Sequence, residues 1–238
     1  MGNAGAVPSR LIRAFVELII PGACAGCGLP GEPLCAACRA ALPLLGRLGC
    51  LRCGHPGPVE VTACRECPPA LGWSRQALAY DAPVARLMEA FKDARRRALA
   101  HPLAAVMAER IAPPARDAVL VPIPLGRDRL ADRGFNQSLL LARRLGQYWQ
   151  RPVLAALSRE DGGQRQRGSS RSARAGQVAG MFTARGPAPH HVVLVDDVLT
   201  TGATFTAAAR VLRAAGCAHV GAVATARVVV ARRPSRVG

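Results

Sequence analysis

Residues 192–204 of this chain read Val-Val-Leu-Val-Asp-Asp-Val-Leu-Thr-Thr-Gly-Ala-Thr. The run opens with four apolar residues, three of them β-branched, which is typical of a strand buried on both faces of a parallel sheet. Residues 205–215 carry Val211 and Leu212 among alanines and end before Gly216, a favourable residue just beyond a helix. The stretch therefore predicts a strand, a polar turn and a helix in immediate succession.

The turn has the chemistry of a phosphate site. Its threonines offer hydroxyl groups, and Gly202 lets the backbone approach a ligand closely. The first N–H groups of the following helix point at any anion that lies in the turn. Asp196 and Asp197, at the carboxyl end of the strand, are acceptors placed for sugar hydroxyls or for a metal ion carried by the ligand.

This stretch resembles the phosphoribosyl-pyrophosphate (PRPP) signature of type I phosphoribosyltransferases, in which hydrophobic residues precede Asp-Asp and Thr-Thr-Gly-x-Thr. It lacks the Gly-Lys-[Ser/Thr] step of a P-loop and the Gly-x-Gly-x-x-Gly of a dinucleotide site. The resemblance implies that Asp196 and Asp197 are the catalytic pair that holds the ribose hydroxyls, while Mg²⁺ accompanies the pyrophosphate. It also implies that the ribose 5-phosphate is bound by Thr200, Thr201, Gly202, Ala203 and Thr204.

The charge balance of the chain is strongly basic. The formal net charge is +17, and Lys92 is the only lysine among 32 cationic residues. An excess of arginine favours polyanionic partners such as nucleic acid, or phosphorylated substrates. General solubility combined with phosphate sites is the equally weighted alternative.

The first 20 residues predict an amphipathic helix packed on the protein, ended by Pro21-Gly22. Glu17 interrupts what would otherwise resemble a signal sequence, and no apolar run approaches the roughly 18 residues of a membrane span. We therefore expect a cytoplasmic protein without a membrane span.

Residues 21–72 are rich in Gly and Pro and hold eight of the nine cysteines. The eight form four Cys-x-x-Cys pairs: Cys24 and Cys27, Cys35 and Cys38, Cys50 and Cys53, and Cys64 and Cys67. Two such turns complete a tetrahedral Zn²⁺ site, so the region predicts a double zinc ribbon with two structural sites. A disulfide framework would need an oxidising compartment, and the sequence shows no convincing export signal.

The pairing of these cysteine turns has two solutions. Sequential pairing joins residues 24–27 with 35–38 and residues 50–53 with 64–67, and each pair then closes a short ribbon. Crossed pairing is compatible with the same spacings. We expect the sequential arrangement.

Residues 73–230 predict a second domain of the α/β class, a parallel sheet with helices on both faces. Lys92 directly follows a helix with an apolar face, and it either faces a phosphate or belongs to a solvated basic cluster. The buried strand 119–121 runs into Pro122, where loops at strand ends line a ligand crevice. A further short strand is expected at residues 153–157.

A second resemblance points to one family among the phosphoribosyltransferase-like proteins. Residues 121–137 include Val-Pro-Ile-Pro-Leu at their start and Arg-Gly-Phe-Asn-Gln at their end, and together with the cysteine turns they resemble the ComF family of competence-associated phosphoribosyltransferase-like proteins. Arg133 and Asn136 are ligand candidates beside the crevice. For Asn136 the alternative is that it merely caps the following helix.

The resemblance implies two functions of different classes. In one, the protein is a phosphoribosyltransferase that binds PRPP with Mg²⁺ and releases pyrophosphate. In the other, it is a non-catalytic single-stranded DNA-binding competence factor that uses the fold to sense a ligand. Both readings associate the chain with DNA uptake and with other competence proteins.

Two basic segments complete the sequence. Residues 159–177 are rich in Gly, Ser and Arg without apolar periodicity, which suits either a mobile lid over the leaving pyrophosphate or an arginine strip for a nucleic-acid backbone. Residues 231–238 predict a disordered basic tail.

Overall fold

A computed structural model describes residues 22–159 and 181–229. The predicted amphipathic helix of residues 1–20, nearly all of the 159–177 loop and the 231–238 tail lie outside these residues. The described helices and strands, in chain order, are α1 (Ala36–Ala40), β1 (Trp73–Ala79), α2 (Ala82–Lys92), a 3₁₀ turn (Arg97–Leu99), α3 (Ala100–Arg110), β2 (Val119–Pro122), α4 (Arg127–Arg133), α5 (Gln137–Trp149), β3 (Leu157–Arg159), β4 (Phe182–Ala184), β5 (His191–Leu199), α6 (Ala203–Ala214) and β6 (His219–Arg227).

The main sheet of the described residues is parallel, with strand order β1-β6-β5-β2. β5 and β6 are the two inner strands, and both are almost entirely buried, as their apolar sequences require. β3 and β4 form a separate antiparallel pair. The strand expected at residues 153–157 is reduced to a single bridge between Val153 and Leu120, and β3 begins only at Leu157.

Helices cover both faces of the sheet, which confirms the predicted α/β architecture. On one face α2, α3 and α5 pack around Phe91, Leu103 and Leu145. On the other face α6 packs through Phe205 and Leu212 against the sheet and against residues of β3 and β4. α2 begins as its sequence indicates: Asp81 accepts a hydrogen bond from the Val84 N–H, and a proline lies in the first turn.

The cysteine-rich region lies along the β1 edge of the sheet. The Leu45 N–H donates to the Ala77 carbonyl at 2.9 Å, and the Ala79 N–H donates to Pro43 at 2.9 Å. Farther along, the Ser74 N–H donates to Arg52 at 2.9 Å. These bonds satisfy groups that an open edge strand would otherwise expose.

Candidate ligand site and metal centres

The predicted strand, turn and helix are present as β5, residues 200–202 and α6. Thr200 and Thr201 are exposed, and Thr204 is half-buried in the first turn of α6. Gly202 has no side chain with which to cap α6, and the Ala203 N–H donates only a long hydrogen bond, of 3.4 Å, to the Thr201 hydroxyl. The helix start therefore holds backbone N–H groups beside the turn. Hydroxyls and N–H groups converging at a helix start form an arrangement that accepts a phosphate.

Gly202 is required at its position for two reasons. Its φ of 77° lies in the left-handed region that favours glycine. In addition, a Cβ at this position would lie 2.7 Å from the Cγ of Pro68, which belongs to the cysteine-rich region. The turn of the signature is therefore in direct contact with a segment more than 130 residues earlier in the chain.

Asp196 is held by hydrogen bonds from two directions. Its Oδ1 accepts from the Ser138 hydroxyl at 2.7 Å and from the Asp197 N–H at 2.9 Å. Burial, followed by the neighbouring Asp197 charge, raises the pKa of Asp196 to about 7, against the lowering effect of Ser138. This carboxyl is therefore poised to change protonation when a cation or a hydroxyl-bearing ligand approaches.

Asp197 faces the single lysine of the chain. The Lys92 Nζ lies 3.0 Å from Asp197 Oδ2, and the Asp197 side chain is 6% exposed. α2 thus delivers its last residue to the end of β5, so the structure places Lys92 at the signature rather than in the solvated basic cluster. The ion pair gives the buried Asp197 carboxylate a partner of opposite charge.

Arg133 and Asn136 lie near one another at the junction of α4 and α5. Arg133 donates to Gln137 at 2.9 Å and to Asp93 at 3.2 Å. The Asn136 Oδ1 caps α5 by accepting from the Ser138 and Leu139 N–H groups. Its Nδ2 donates to the Ile123 carbonyl at 3.0 Å, so the capping role is present and the amide also fixes the loop after β2.

Pro122 is the last residue of β2 and is buried. The loop that follows it is anchored to β5 because the Ile123 N–H donates to Val195 at 3.0 Å. This loop and the end of β5 therefore lie side by side at the carboxyl edge of the sheet, where ligands bind in open α/β folds.

The eight paired cysteines form two clusters in the sequential arrangement that we predicted. Within each cluster, the four sulfur atoms all lie within 4.8 Å of one another. The first ribbon, residues 22–42, holds Cys24, Cys27, Cys35 and Cys38, and the second ribbon, residues 46–72, holds Cys50, Cys53, Cys64 and Cys67.

The sulfur spacing fits a tetrahedral metal ion. Sulfur–sulfur distances are 3.8 Å for Cys27 to Cys35, and 3.5 Å for both Cys50 to Cys67 and Cys53 to Cys64. A Zn–S bond of about 2.3 Å in a tetrahedron puts neighbouring sulfurs roughly 3.8 Å apart. Each cluster could therefore hold Zn²⁺ in a closed, structural site.

The pKa values of the thiols indicate that a metal ion would supply the positive charge needed to hold four thiolates together. Burial pushes the Cys24 pKa up, but N–H groups donated to its sulfur outweigh burial and lower that pKa to about 6. Neighbouring Cys35 and Cys27 sulfurs, in contrast, raise the pKa of Cys38 to about 12. The second ribbon repeats this split, with a pKa of about 6 for Cys50 and about 12 for Cys53. Four thiolates in one cluster therefore need a cation among them.

The second ribbon is fastened to the sheet through Cys53. Its carbonyl accepts from the buried Arg227 guanidinium at 2.9 Å and from the Ser74 hydroxyl at 3.1 Å. Arg227 ends β6 and also donates to Gln76 at 3.3 Å. The Arg227 charge acts to lower the pKa of Cys53, so a buried cation lies beside the thiolates of this ribbon.

Sequence reasoning missed Ser138 and Pro68. Ser138 lies two residues after Asn136 in the first turn of α5, and nothing in its local sequence indicates a partner 58 residues away. Pro68 follows the last cysteine of the second ribbon, where a proline suggests only a loop. Three histidines at the opposite edge of the sheet, His190, His191 and His219, also lie together.

In the part of the chain that the structure describes, no helix is long and apolar enough to cross a membrane. This result covers only the described helices.

A known protein family and a known protein are similar in sequence to this chain. Residues 132–237 match the model of the phosphoribosyl transferase domain family. The chain is also 37% identical, over 100 residues, to the competence protein ComFC of Bacillus subtilis strain 168. That match covers 42% of this chain and 40% of ComFC, so the chain spans less than half of the relative's length.

Proposed function

Because this chain carries a phosphoribosyltransferase domain of the ComF type beside two four-cysteine clusters, we propose that it binds PRPP at the carboxyl edge of its sheet. The observation that carries the proposal is the start of α6, where Gly202 offers no capping side chain and threonine hydroxyls lie beside the backbone N–H groups, next to Asp196 and Asp197. In this proposal the phosphate binds in the turn and the ribose binds against the acidic pair. One strand, turn and helix therefore provide both positions.

The proposed 5-phosphate site is the turn itself. Hydroxyl groups of Thr200, Thr201 and Thr204 and the backbone N–H groups at Gly202 and Ala203 supply the donors that a phosphate dianion accepts. The exposed threonines leave the turn open to an incoming ligand. Its position is fixed from behind by the contact of Gly202 with Pro68.

The proposed ribose site is the acidic pair. Carboxylate oxygens of Asp196 and Asp197 accept hydrogen bonds from sugar hydroxyls, and hard oxygen donors also suit Mg²⁺, which would arrive with the pyrophosphate. The Mg²⁺ supplies charge neutralisation at the leaving pyrophosphate. Lys92, Pro122, Arg133 and Asn136 complete the proposed binding set.

If turnover occurs, this chain contributes positioning and electrostatics to the displacement of pyrophosphate from the anomeric carbon. Ser138 orients Asp196, and Lys92 holds Asp197 in an ion pair. The loop after β2, tied to Asn136, would meet the pyrophosphate. The acceptor that attacks the anomeric carbon is not specified by these residues.

Calorimetric titration of the zinc-loaded protein with Mg-PRPP tests the proposal. We expect saturable binding that is reduced at least about 100-fold in Asp196→Asn/Asp197→Asn, because both ribose acceptors lose charge. Glu32→Gln/Glu60→Gln is the matched control, since it removes the same charge from two exposed carboxylates and should bind as the wild type does. Folded wild-type protein that gives no heat with Mg-PRPP contradicts the proposal.

A second proposal concerns DNA. The named relative is a competence protein, and the net charge of +17 favours a polyanion, which together support single-stranded DNA binding in a cytoplasmic protein that works with other competence proteins. Backbone contacts predict that affinity for a fluorescent oligonucleotide falls steeply between 50 and about 200 mM salt. Affinity that is independent of salt would contradict a charge-driven contact. The Asp196→Asn/Asp197→Asn variant should keep its DNA affinity.

A further inference from the structure

Three of the five histidines of the chain meet at the amino end of the two inner strands. His191 begins β5, His219 begins β6, and the two residues are partners in the strand register. His190 precedes β5. Ring centroids are 4.9 Å apart for His190 and His191, 5.4 Å for His190 and His219, and 4.4 Å for His191 and His219.

The backbone that carries these rings is held rigidly. The His190 carbonyl accepts from the N–H groups of Ala218 and His219 at 3.1 and 3.0 Å, and from the Cys217 thiol at 3.4 Å. The same thiol lies 3.3 Å from the His219 carbonyl. The buried Cys217 thus joins the two segments that bear the histidines, and the proximity of the rings follows from the fold.

An acidic group orients one of the rings. The Nδ1 of His191 contacts the carboxylate of Asp117, which lies in the loop before β2. A carboxylate beside one ring nitrogen leaves the other nitrogen for a metal ion, an arrangement that accompanies metal-binding histidines. We propose that His190, His191 and His219 form a binding site for a divalent first-row transition cation, with Asp117 as its positioning residue.

The ligand set indicates the class of ion. One nitrogen from each histidine lies within 4.8 Å of the others, so small ring rotations bring all three to a shared ion with Zn–N bonds of about 2.1 Å. Imidazole nitrogens suit Zn²⁺, Ni²⁺ or Cu²⁺ and discriminate against Mg²⁺. Three protein ligands leave a fourth position open, unlike the closed four-cysteine clusters.

The surroundings give this open position room. A cavity of about 230 Å³ adjoins the cluster and is lined by His191, His219, Trp73 and Arg213 among others. Four residues of β5 lie between His191 and Asp196, so the two positions are about 17 Å apart along the strand. The ion would therefore lie at the edge of the sheet opposite to the proposed PRPP site, joining β5 to β6 and, through Asp117, to the loop before β2.

Calorimetric titration with Zn²⁺ tests the site in untagged full-length protein that already carries both ribbon zinc ions. We expect one further equivalent to bind with a dissociation constant below about 10 μM. His219→Ala should weaken this step at least about 100-fold, and Asp117→Asn about 10-fold, because the outer partner only orients its ligand. His101→Ala, an exposed histidine outside the cluster, should leave the titration unchanged.

A second measurement identifies the ligands directly. Substoichiometric Ni²⁺ should broaden the ring signals of His190, His191 and His219 in a proton–nitrogen NMR spectrum and spare those of His55 and His101. Equal broadening of all five rings, or a third zinc equivalent that His219→Ala and His190→Ala/His219→Ala do not weaken, would overturn the proposal. Total zinc of two per chain in each variant confirms that the ribbons are intact.

Discussion

The two ribbons share the same cysteine spacing within each turn and differ in what they contact. The first ribbon lies on the helical face of the molecule, where Cys24, Leu34 and Leu42 join the core around α2 and α3. Its ion pair with that face, from Arg39 to Glu109, is solvent-exposed. The first ribbon therefore acts as a cover for one hydrophobic face.

The second ribbon contacts the proposed ligand site. Cys53 is bonded to Arg227 at the end of β6, and Pro68 packs on Gly202 in the signature turn. Equal metal sites are thus used differently: the second would hold the ligand turn in place, whereas the first stabilises the fold at a distance. The second metal site is linked to the rest of the molecule by the Cys53 carbonyl and by Pro68, and not by the sulfur atoms that would bind the ion.

Removing one cysteine ligand from each ribbon should give the largest difference in stability and PRPP affinity between the two. Cys53→Ser and Cys27→Ser each remove one zinc ion, but Cys53 is buried and Cys27 is exposed. We expect Cys53→Ser to lower the free energy of unfolding by about 4 kcal/mol or more and to abolish Mg-PRPP binding. Cys27→Ser should cost about 2 kcal/mol and leave PRPP affinity within about threefold.

Zinc content by mass spectrometry, urea unfolding and calorimetry measure these outcomes together. The claim that the ribbons differ fails if Cys27→Ser impairs PRPP binding as much as Cys53→Ser does.

Two arginines test the links between ribbon and core without touching a cysteine. Arg227 is 2% exposed, and its loss leaves the Cys53 carbonyl and Gln76 without this donor. Arg227→Met should therefore lower the free energy of unfolding by about 3 kcal/mol. Arg39→Met, which removes the exposed ion pair of the first ribbon, should cost under about 1 kcal/mol. Urea denaturation of both variants measures the difference, and equal costs would contradict the ranking.

The contact between Gly202 and Pro68 is tested by a double-mutant cycle. Gly202→Ala introduces a Cβ where φ is positive and where Pro68 leaves no space, so we expect a cost of about 2 kcal/mol. Pro68→Ala in the same chain should recover about half of that cost, because it relieves the clash and not the backbone strain. Thermal unfolding measures the coupling. Purely additive effects would mean that the second ribbon does not press on the turn.

The last prediction concerns Asp196, in the candidate ligand site beside the second ribbon, and the pH dependence of stability. The pKa of Asp196 is raised from 3.8 to about 7 on folding, so the folded protein binds this proton more tightly than the unfolded chain does. Wild-type stability should consequently fall as the pH rises from about 4 to about 7, and should then level off.

Asp196→Asn removes that fall. The variant should be about 1–2 kcal/mol more stable than the wild type at pH 8, and this advantage should shrink as the pH falls from about 7 to about 4, in urea titrations without Mg²⁺ or PRPP. Glu32→Gln in the first ribbon keeps Asp196 and should follow the wild type in the same titrations. A destabilised Asp196→Asn protein at pH 8 would contradict the assigned cause.

Much of the site could be predicted because its parts are local. β5, the turn and α6 occupy one continuous run, and apolar periodicity, Gly202 and the hydroxyl residues suffice to place them. The cysteine turns are equally local, and their short separation made the sequential pairing the shorter closure. The capping role of Asn136 was also available as an alternative, because it depends on the next three residues.

The α/β fold class, the signature and the two cysteine clusters could be predicted from the sequence, since each is specified by spacings of a few residues. The distant groups that complete the candidate site are visible only in the folded chain: Lys92 on Asp197, Ser138 on Asp196 and Pro68 on Gly202. Parallel strands bring together residues that lie far apart in the chain, because every crossover helix separates neighbours in the sheet by tens of residues. Partners made in this way leave no local pattern, and the histidine cluster at the opposite edge of the same strands arises for the same reason.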